Sequence, residues 1–229
     1  MTKKPTALNN GEKQRICRND PSHVQKKTIA ATGTSGVLIA KMSTKGKKGL
    51  KIKWNKLEGA EGYDVFFAHC DTDKKIYKFK KIKTLKAGSG LSCTKTGLKK
   101  GTAYKAYVKA WAMKGGKKVY VSRSPTIHAF TGGCNKVYTN PKRVILKSKK
   151  SVTLKPGSTA GIKAKVTKLK KNRKLISKEH ERKLRYLSSD NKIATVSKSG
   201  RITAKSKGSC KVYVITVNGV YKVVNVTVK

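Results

Sequence analysis

Three carboxylates, Glu58, Glu61 and Asp64, stand within seven residues of one another in this sequence. Enzymes use paired carboxylates for general acid–base catalysis, provided that a pocket holds them at the reacting atoms. Here Glu58 and Glu61 fall in a glycine-containing turn, and Asp64 begins a predicted strand. The sequence indicates no cleft around them, so we expect all three to be surface charges.

Thiol and imidazole groups occur together at two places. His69 and Cys70 are adjacent, but the strand alternation directs Cys70 outward at a strand end, and no further group is evident to position the pair. Cys17 and His23 flank an Asn-Asp-Pro turn, and two ligands fall short of the four that a structural zinc site uses. The five cysteines have no CxxC spacing, and the sequence leaves open whether Cys70 and Cys93 pair. With no phosphate loop, GxSxG or HExxH motif, the sequence predicts no enzyme, no metal and no cofactor.

The strongest chemical signal is positive charge. The chain has 56 Lys and Arg residues and 10 Asp and Glu residues, which gives a net charge of +46. The charge is spread along the chain, with +18 in residues 36–131 and +21 in residues 143–229. A protein of this charge is attracted to anionic surfaces such as wall polymers, nucleic acid or lipid headgroups. Charge therefore bears on the choice of partner more than any catalytic motif does.

Nucleic acid and membrane fit the sequence less well than a wall polymer does. Aromatic residues make up 7% of the chain, and Trp54, Tyr63, Tyr104 and Trp111 are predicted core residues, so we expect only nonspecific nucleic-acid binding. No stretch is long and apolar enough to span a membrane. The opening residues lack the apolar region of a signal peptide, so export would require an N-terminus upstream of Met1.

The densest basic segment, Lys168 to Leu187, holds nine Lys or Arg residues and two Glu. It is either a solvated insertion at a sandwich edge or a grip on an anionic polymer, and charge runs are more often the former. Its apolar residues Leu175, Ile176 and Leu184 predict a short amphipathic helix. The candidate polyanion contacts are Lys168, Lys170, Lys171, Arg173, Lys174, Arg182, Lys183 and Arg185.

The elements that must position these residues are predicted to be short strands throughout. Six runs between Val37 and Ser124 alternate apolar with polar residues, a seventh strand lies around Ser92 to Leu98, and glycine-rich turns separate most of them. Seven short strands in about ninety residues are typical of an antiparallel sandwich. The runs are VLIAK, LKIKW, YDVFFA, IYKFKKIKTL, AYKAYVKAWA and KVYVSRS.

Residues 36–131 resemble a fibronectin type III domain. The resemblance is carried by Trp54 on an early strand, by the GYDVF run, and by the Leu98, Gly101 and Tyr104 pattern in GLKKGTAYKAYVKAWA. In that family this pattern is a tyrosine corner, in which the phenol caps a backbone group at the turn while the ring fills the end of the core. The resemblance also implies that Trp54 is the central core residue.

Residues 143–229 resemble a group 2 bacterial immunoglobulin-like domain. The stretch 186–208 predicts three short extended pieces joined by two turns, which we interpret as two hairpins, and Asn218-Gly219 predicts another hairpin. Tyr186 stands where that family usually has Trp. The other matching residues are Leu154, Pro156-Gly157, Ser188 to Asn191, Ile193 to Val196, Gly200, Ile202, Ala204, Gly208, Val224, Val226 and Val228.

The predicted fold is therefore all-β, with two tandem antiparallel immunoglobulin-like sandwiches after a short N-terminal hairpin segment. Residues 1–35 are predicted to be a partial β-hairpin repeat and linker before the first sandwich at 36–131, since Arg15 to Gly33 resembles the last part of a hairpin repeat of exported Gram-positive proteins. The glycines and Asn-Pro of residues 132–142 predict a short linker to the second sandwich at 143–229.

Both resemblances imply a non-enzymatic, extracellular or cell-surface module that serves in adhesion or as a spacer. The charge adds a partner, because anionic wall polymers such as teichoic acids, or carbohydrate, would be bound weakly through the basic surface. The alternative is that these are accessory domains of a larger exported enzyme whose catalytic part is not in this chain. The sequence does not indicate an oligomeric state.

Overall fold

The computed structural model describes residues 3–18, 21–22, 24–70, 78–176 and 182–229. These residues form nineteen strands and one 3₁₀ turn, Thr131–Gly133, and the prediction of an all-β chain is confirmed. Within these ranges no helix is long and apolar enough to cross a membrane.

The N-terminal segment forms one hairpin, in which β1 (Gly11–Ile16) pairs antiparallel with β2 (Val24–Ile29). Most of its side chains are exposed, so the hairpin has little core of its own. It is attached to the next part of the chain by Asn9, whose Nδ2 donates to the Met113 carbonyl oxygen at 2.7 Å and whose Oδ1 accepts from the Gly115 N–H at 3.2 Å.

The first sandwich packs a three-stranded sheet against a five-stranded one. In the smaller sheet β3 (Ala40–Thr44), β4 (Leu50–Trp54) and β7 (Ser92–Lys95) are neighbours in that order. The larger sheet contains β5 (Gly62–His69), β6 (Lys80–Lys86), β8 (Ala103–Lys114), β9 (Lys117–Arg123) and β10 (Ile127–Phe130). Its order is β10-β8-β5-β6, and β9 also pairs with β8.

Aromatic residues organise the interior of this sandwich as the sequence predicts. Trp54 packs against Tyr63 with ring centroids 5.7 Å apart, and the Tyr63 hydroxyl accepts from the Leu57 N–H at 2.9 Å. The Tyr104 hydroxyl accepts from the Lys99 N–H at 3.2 Å, which is the expected tyrosine corner. A buried phenol with a backbone partner fills the core without leaving a polar atom unsatisfied.

The strand limits differ from the sequence prediction in two places. The strand predicted to begin at Val37 begins at Ala40, although Leu38 and Ile39 are already buried. The sequence pattern does not predict strand β10, and all four of its residues are buried. Strands β9 and β10 both pair with β8, one after the other. They are separated at Ser124-Pro125, because proline has no N–H to donate to the ladder.

The second sandwich begins with β11 (Pro141–Leu146), which pairs with β14 (Ala164–Lys168). Its four-stranded sheet contains β12 (Ser151–Leu154), β19 (Tyr221–Val228), β18 (Gly208–Thr216) and β15 (Leu184–Ser188), in that order. A three-stranded sheet contains β13 (Thr159–Gly161), β17 (Arg201–Ala204) and β16 (Ala194–Val196). Here β12 pairs parallel with β19, an exception to the antiparallel pattern.

Only one of the two hairpins predicted in residues 186–208 exists. Strands β16 and β17 pair through a turn in which Gly200 has φ of 86°, as expected. Strand β15, however, pairs with β18 in the other sheet, so the Ser188 to Asn191 turn carries the chain between sheets. The predicted turn chemistry is present, because the Asp190 Oδ1 accepts from the Lys192 N–H at 2.8 Å.

The prediction of a short amphipathic helix in the basic segment is wrong for the residues of that segment that the structure describes. Leu184 begins β15, and Leu175 and Ile176 lie in irregular backbone, where Ile176 is buried. Burial against neighbouring strands, and not a helical face, explains these apolar positions. Residues 177–181, which include Glu179 and Glu181, lie outside the described residues.

The two sandwiches meet at the tip of the β18–β19 hairpin. The Met42 N–H donates to the Asn218 carbonyl oxygen and the His128 N–H donates to the Val217 carbonyl oxygen, both at 2.8 Å. A Cβ on Gly219 would lie 2.0 Å from the carbonyl oxygen of Ala40, so only glycine fits this approach. We call this contact the joint. The predicted Asn218-Gly219 hairpin is confirmed, and its tip connects the two sandwiches.

Candidate functional site

The carboxylate of Asp64 is completely buried, which corrects the expectation of a surface charge. It lies on the outer face of the larger sheet of the first sandwich, beneath the side chains of β6 and β9. Lys118 Nζ donates to both oxygens at 2.8 and 2.7 Å, the Tyr120 hydroxyl donates at 2.7 Å and the Thr84 hydroxyl at 2.8 Å. The prediction holds for Glu58, which is exposed and pairs with Lys56 at 3.3 Å.

The hydrogen bonds around Asp64 decide its protonation. Burial of the carboxyl opposes ionisation, but the bonds from Lys118, Tyr120 and Thr84 together hold the pKa of Asp64 below its ordinary value of 3.8. In turn burial, followed by the bond to Asp64, raises the pKa of the Tyr120 phenol to about 12. A carboxylate that is fully ionised and fully bonded is suited to holding its neighbours in place and unsuited to proton transfer.

Beside Asp64, the same sheet face carries aromatic rings with a cation over each of them. Lys105 lies over Phe79 at 5.0 Å, Lys109 over Tyr120 at 4.4 Å and over Phe66 at 5.5 Å. The Arg123 guanidinium lies over Tyr107 at 4.1 Å, and Lys118 lies over Trp111 at 4.6 Å and over Tyr120 at 5.7 Å. We call Lys105, Arg123, Lys109 and Lys118 the cation row.

The rings beneath the cation row pack against one another across the strands. Phe66 and Tyr107 are stacked with centroids 4.8 Å apart and an interplanar angle of 16°. Phe79 meets the edge of Tyr107 at 4.7 Å, and Tyr120 meets Phe66 at 6.5 Å. Contacts of this kind between neighbouring strands stabilise a sheet and fix ring positions.

The alternation of β8 places Trp111 on this outer face, so its predicted core position is wrong. Since Tyr104, Ala106, Val108 and Ala110 point into the core, the alternate positions of β8 must point outward. Trp111 is directly opposite Gly62, on the same side as Asp64. Its low exposure of 8% comes from the neighbouring sheet face and the Lys118 that lies over it.

The basic segment predicted to contact polyanions is partly open and partly built into the fold. Its irregular backbone is fixed to the residues that connect the sandwiches, through Lys174 N–H to the Val137 carbonyl oxygen and Thr139 N–H to the Lys174 carbonyl oxygen, both at 2.9 Å. Lys168 and Arg173 are half-buried. The exposed members of the predicted set are Lys170, Lys171, Lys174, Arg182 and Lys183.

Arg185 differs from the other members of that set. It is half-buried on β15, and its guanidinium donates to the carbonyl oxygen of Thr126 in the first sandwich and to that of Thr216 at 3.2 Å in the second. These bonds contribute to the joint. Arg185 therefore helps to hold the sandwiches together, and polyanion contact stays a prediction for all eight residues.

The prediction that Cys70 points outward is wrong. Cys70 is 3% exposed, and its Sγ lies 3.4 Å from Nδ1 of His128, beside Ala103 and Phe130. No disulfide joins any two of the cysteines that the structure describes, so Cys70 and Cys93 do not pair. Across the described ranges, no three His, Cys, Asp or Glu side chains group so as to hold a metal ion, and His23 lies outside these ranges.

Comparison with protein families decides the nature of the second sandwich. Residues 148–228 match the family model described as bacterial Ig-like domain (group 2). Over these residues the chain is similar to group 2 bacterial Ig-like domains. Such domains are non-catalytic modules that occur in bacterial surface proteins. In the matched region the Tyr186 ring lies against Gly200, where an added Cβ would be 2.8 Å from the ring.

Solved structures similar to this chain include fibronectin type III domains. The FN5 domain of Drosophila Lar is 20% identical, with 42% of this chain and 96% of that chain covered and a TM-score of 0.33. The third fibronectin III domain of human KIAA0343 is 15% identical, with 44% and 88% covered and a TM-score of 0.30. At these TM-scores the likeness carries no argument, and the description of the first sandwich rests on its own strands and tyrosine corner. A comparison with curated proteins finds no match.

Proposed function

We infer that this chain is a non-enzymatic module of a bacterial cell-surface or secreted protein, retained on anionic wall polymers by its basic surface. The observation that supports this most directly is the excess of 56 basic over 10 acidic residues, with basic side chains exposed on both sandwiches. Several kT of positive potential over such a surface concentrates an anionic polymer without a shaped pocket. The binding is weak at each contact and distributed over many.

The joint supports a spacer role. Backbone hydrogen bonds from Met42 and His128 to the β18–β19 tip, together with the bonds from Arg185, hold the sandwiches in one arrangement. A pair of domains fixed in this way keeps a constant distance between whatever is attached to its ends, which a flexible linker does not. We therefore propose a stiff spacer that also adheres to the polymer beside it.

The wall polymer is tested with the purified chain and isolated Gram-positive walls, prepared with and without their teichoic acids. We expect binding to the intact walls, a large loss on the stripped walls, and a steep fall as salt rises, because exposed charges are screened. Equal binding to both preparations would contradict retention by teichoic acids. A DNA column at physiological salt is the control, and strong retention there would favour a nucleic-acid binder instead.

A further inference from the structure

The cation row follows one strand in a regular order. Lys105, Tyr107, Lys109 and Trp111 occupy successive outward positions of β8, which are about 7 Å apart in a strand. Each position presents one cation, either its own ammonium or the Arg123 or Lys118 side chain that lies over its ring. The result is a line of four positive groups along roughly 20 Å of a sheet face.

The rings restrict where these cations can be. A lysine side chain in solvent has many rotamers, and fixing them costs free energy when an anion binds. Attraction to a ring face draws each ammonium or guanidinium toward one position before any ligand arrives. The rings are themselves fixed by the Phe66–Tyr107 stack and by the bond from Tyr120 to Asp64. The row is thus pre-ordered in a way that ordinary surface lysines are not.

Three members of the row keep their full charge. Lys118 is neutralised by Asp64, whose two oxygens it binds. In the part of the chain that the structure describes, no carboxylate lies within ion-pair distance of Lys105, Lys109 or Arg123. Asp64 therefore organises the face at the cost of one charge and leaves a net charge of three along β8.

We propose that the cation row binds a linear phosphodiester polymer, a poly(glycerol phosphate) chain lying along β8, with successive phosphates on Lys105, Arg123 and Lys109. This inference rests on the proposed retention by wall polymers and names where that polymer is held. A regular line of separate cations matches a chain whose charges repeat at regular intervals. Compact anions and scattered carboxylates match it less well.

The same geometry argues against single-stranded nucleic acid as the occupant. Proteins that bind such strands without sequence preference present aromatic faces on which bases stack. Here Phe66 and Tyr107 cover one another, and the cations lie over the remaining ring faces. A polymer without bases loses nothing by this arrangement, whereas a nucleic acid would forgo its stacking.

Two variants of equal charge test the proposal. The row variant replaces Lys105, Lys109 and Arg123 by Gln, and the control variant replaces the exposed Lys170, Lys171 and Lys183 by Gln. Binding of poly(glycerol phosphate) is measured by titration over a range of salt, with the thermal midpoint and tryptophan fluorescence of each variant confirming its fold. We expect the row variant to lose at least tenfold in affinity and to reduce the salt slope by about two, against a few-fold loss for the control.

A ring variant separates order from charge. Replacing Tyr107 and Tyr120 by Leu keeps every cation but removes the ring beneath Arg123 and the nearer of the two rings beneath Lys109, and we expect a loss of about two- to fivefold. Unchanged affinity in this variant would contradict the ordering role of the rings. Since Tyr120 also bonds Asp64, the variant is compared with Asp64→Asn, which removes the anionic acceptor of that bond and keeps both rings.

The outcomes distinguish this inference from the proposed function. If the wild type binds intact walls and the row and control variants lose the same affinity for poly(glycerol phosphate), the proposed binding by the cation row is wrong. The proposed retention by charge distributed over the surface is then still supported. If the wild type binds neither intact walls nor poly(glycerol phosphate), both proposals fail. If single-stranded oligothymidylate displaces the polymer at equal or lower phosphate concentration, the occupant is a nucleic acid and the proposal is overturned.

Discussion

The two sandwiches carry similar charge but arrange it differently. In the first sandwich the outer sheet face holds its lysines over rings and around the buried Asp64. In the second, the four-stranded sheet carries the aromatic pair Tyr213 and Tyr221 at 5.6 Å, and many lysines lie in turns and in the irregular basic segment. Net charge along the chain is thus a poor guide to where cations are ordered. Order depends on what lies beneath each cation.

The two sandwiches are held together at the joint, and of the predicted substitutions we expect Gly219→Ala, which disrupts the joint, to change the protein the most. Gly219 has φ of 85° and contacts the Ala40 carbonyl, so a methyl group there combines backbone strain with a clash against the first sandwich. We expect a loss of about 3 kcal/mol in the free energy of unfolding or of docking. Amide hydrogen exchange at Met42 and His128, which donate into the tip, should accelerate strongly.

Gly157→Ala is the matched control, because Gly157 has φ of 82° in the same domain but a Cβ added there would meet nothing within 4 Å. It should cost about 1 kcal/mol and leave the exchange of Met42 and His128 unchanged. Both tryptophans lie in the first sandwich, so their fluorescence follows that sandwich separately from the circular dichroism of the whole chain. Equal costs for the two substitutions would show that the tip does not hold the sandwiches together.

The second prediction concerns Asp64, whose carboxylate holds its neighbours in place on the outer sheet face of the first sandwich. Asp64→Asn leaves Lys118 and Tyr120 without their anionic partner, and we expect a loss of about 2 kcal/mol in unfolding free energy by urea denaturation. The exposed Glu58→Gln should change it by less than about 0.5 kcal/mol. Because the folded pKa of Asp64 is depressed, its contribution is complete above pH 3.8 and is lost as pH falls through the lower folded value. A difference between wild type and Asp64→Asn that persists unchanged in strong acid would contradict this assignment.

Strand pattern predicts the scaffold well because burial leaves a period-two signature. The alternation around Tyr63 and Tyr104, the tyrosine corner and the Asn218-Gly219 hairpin are all present in the structure. Alternation within one strand does not say which strand it pairs with. For this reason the pattern around Ser188 to Asn191 predicts a hairpin, although β15 and β16 belong to different sheets.

The chemistry of the face is harder to predict, because it depends on contacts between strands. The sequence predicts a surface charge at Asp64 since nothing in its own strand covers it, and the covering side chains come from β6 and β9. Pairing Asp64 with Thr84, and Trp111 with Tyr120, requires the registers of three strands and a bulge in β9. The joint cannot be predicted from the sequence pattern for the same reason. Gly219 indicates a turn, but nothing in the pattern indicates that the Ala40 backbone lies beside it.

The third prediction compares the same residue type on the two faces. Tyr107→Leu removes the stack on Phe66 and the ring beneath Arg123, and we expect a cost of about 1.5 kcal/mol by urea denaturation. Tyr213 is half-buried like Tyr107 but meets Tyr221 edge to face, so Tyr213→Leu should cost about 0.5 kcal/mol. If the two substitutions cost the same, the first face is no better organised than the second, and the basis for a pre-ordered row is lost.

The smallest expected effect is a change in the titration of one phenol. Burial, and then the bond to Asp64, raises the pKa of Tyr120 to about 12, so the phenol stays protonated when ordinary tyrosines ionise. Removing the carboxylate in Asp64→Asn takes away the anionic acceptor, and the pKa of Tyr120 should fall part of the way toward 10, with the remaining shift due to burial. Phenolate absorbance against pH measures this, and Tyr120→Phe identifies the component that belongs to Tyr120. An unchanged high component in Asp64→Asn would mean that the carboxylate does not hold Tyr120. The rings would then be fixed by stacking alone, and the first face would differ from the second only in the number of its rings.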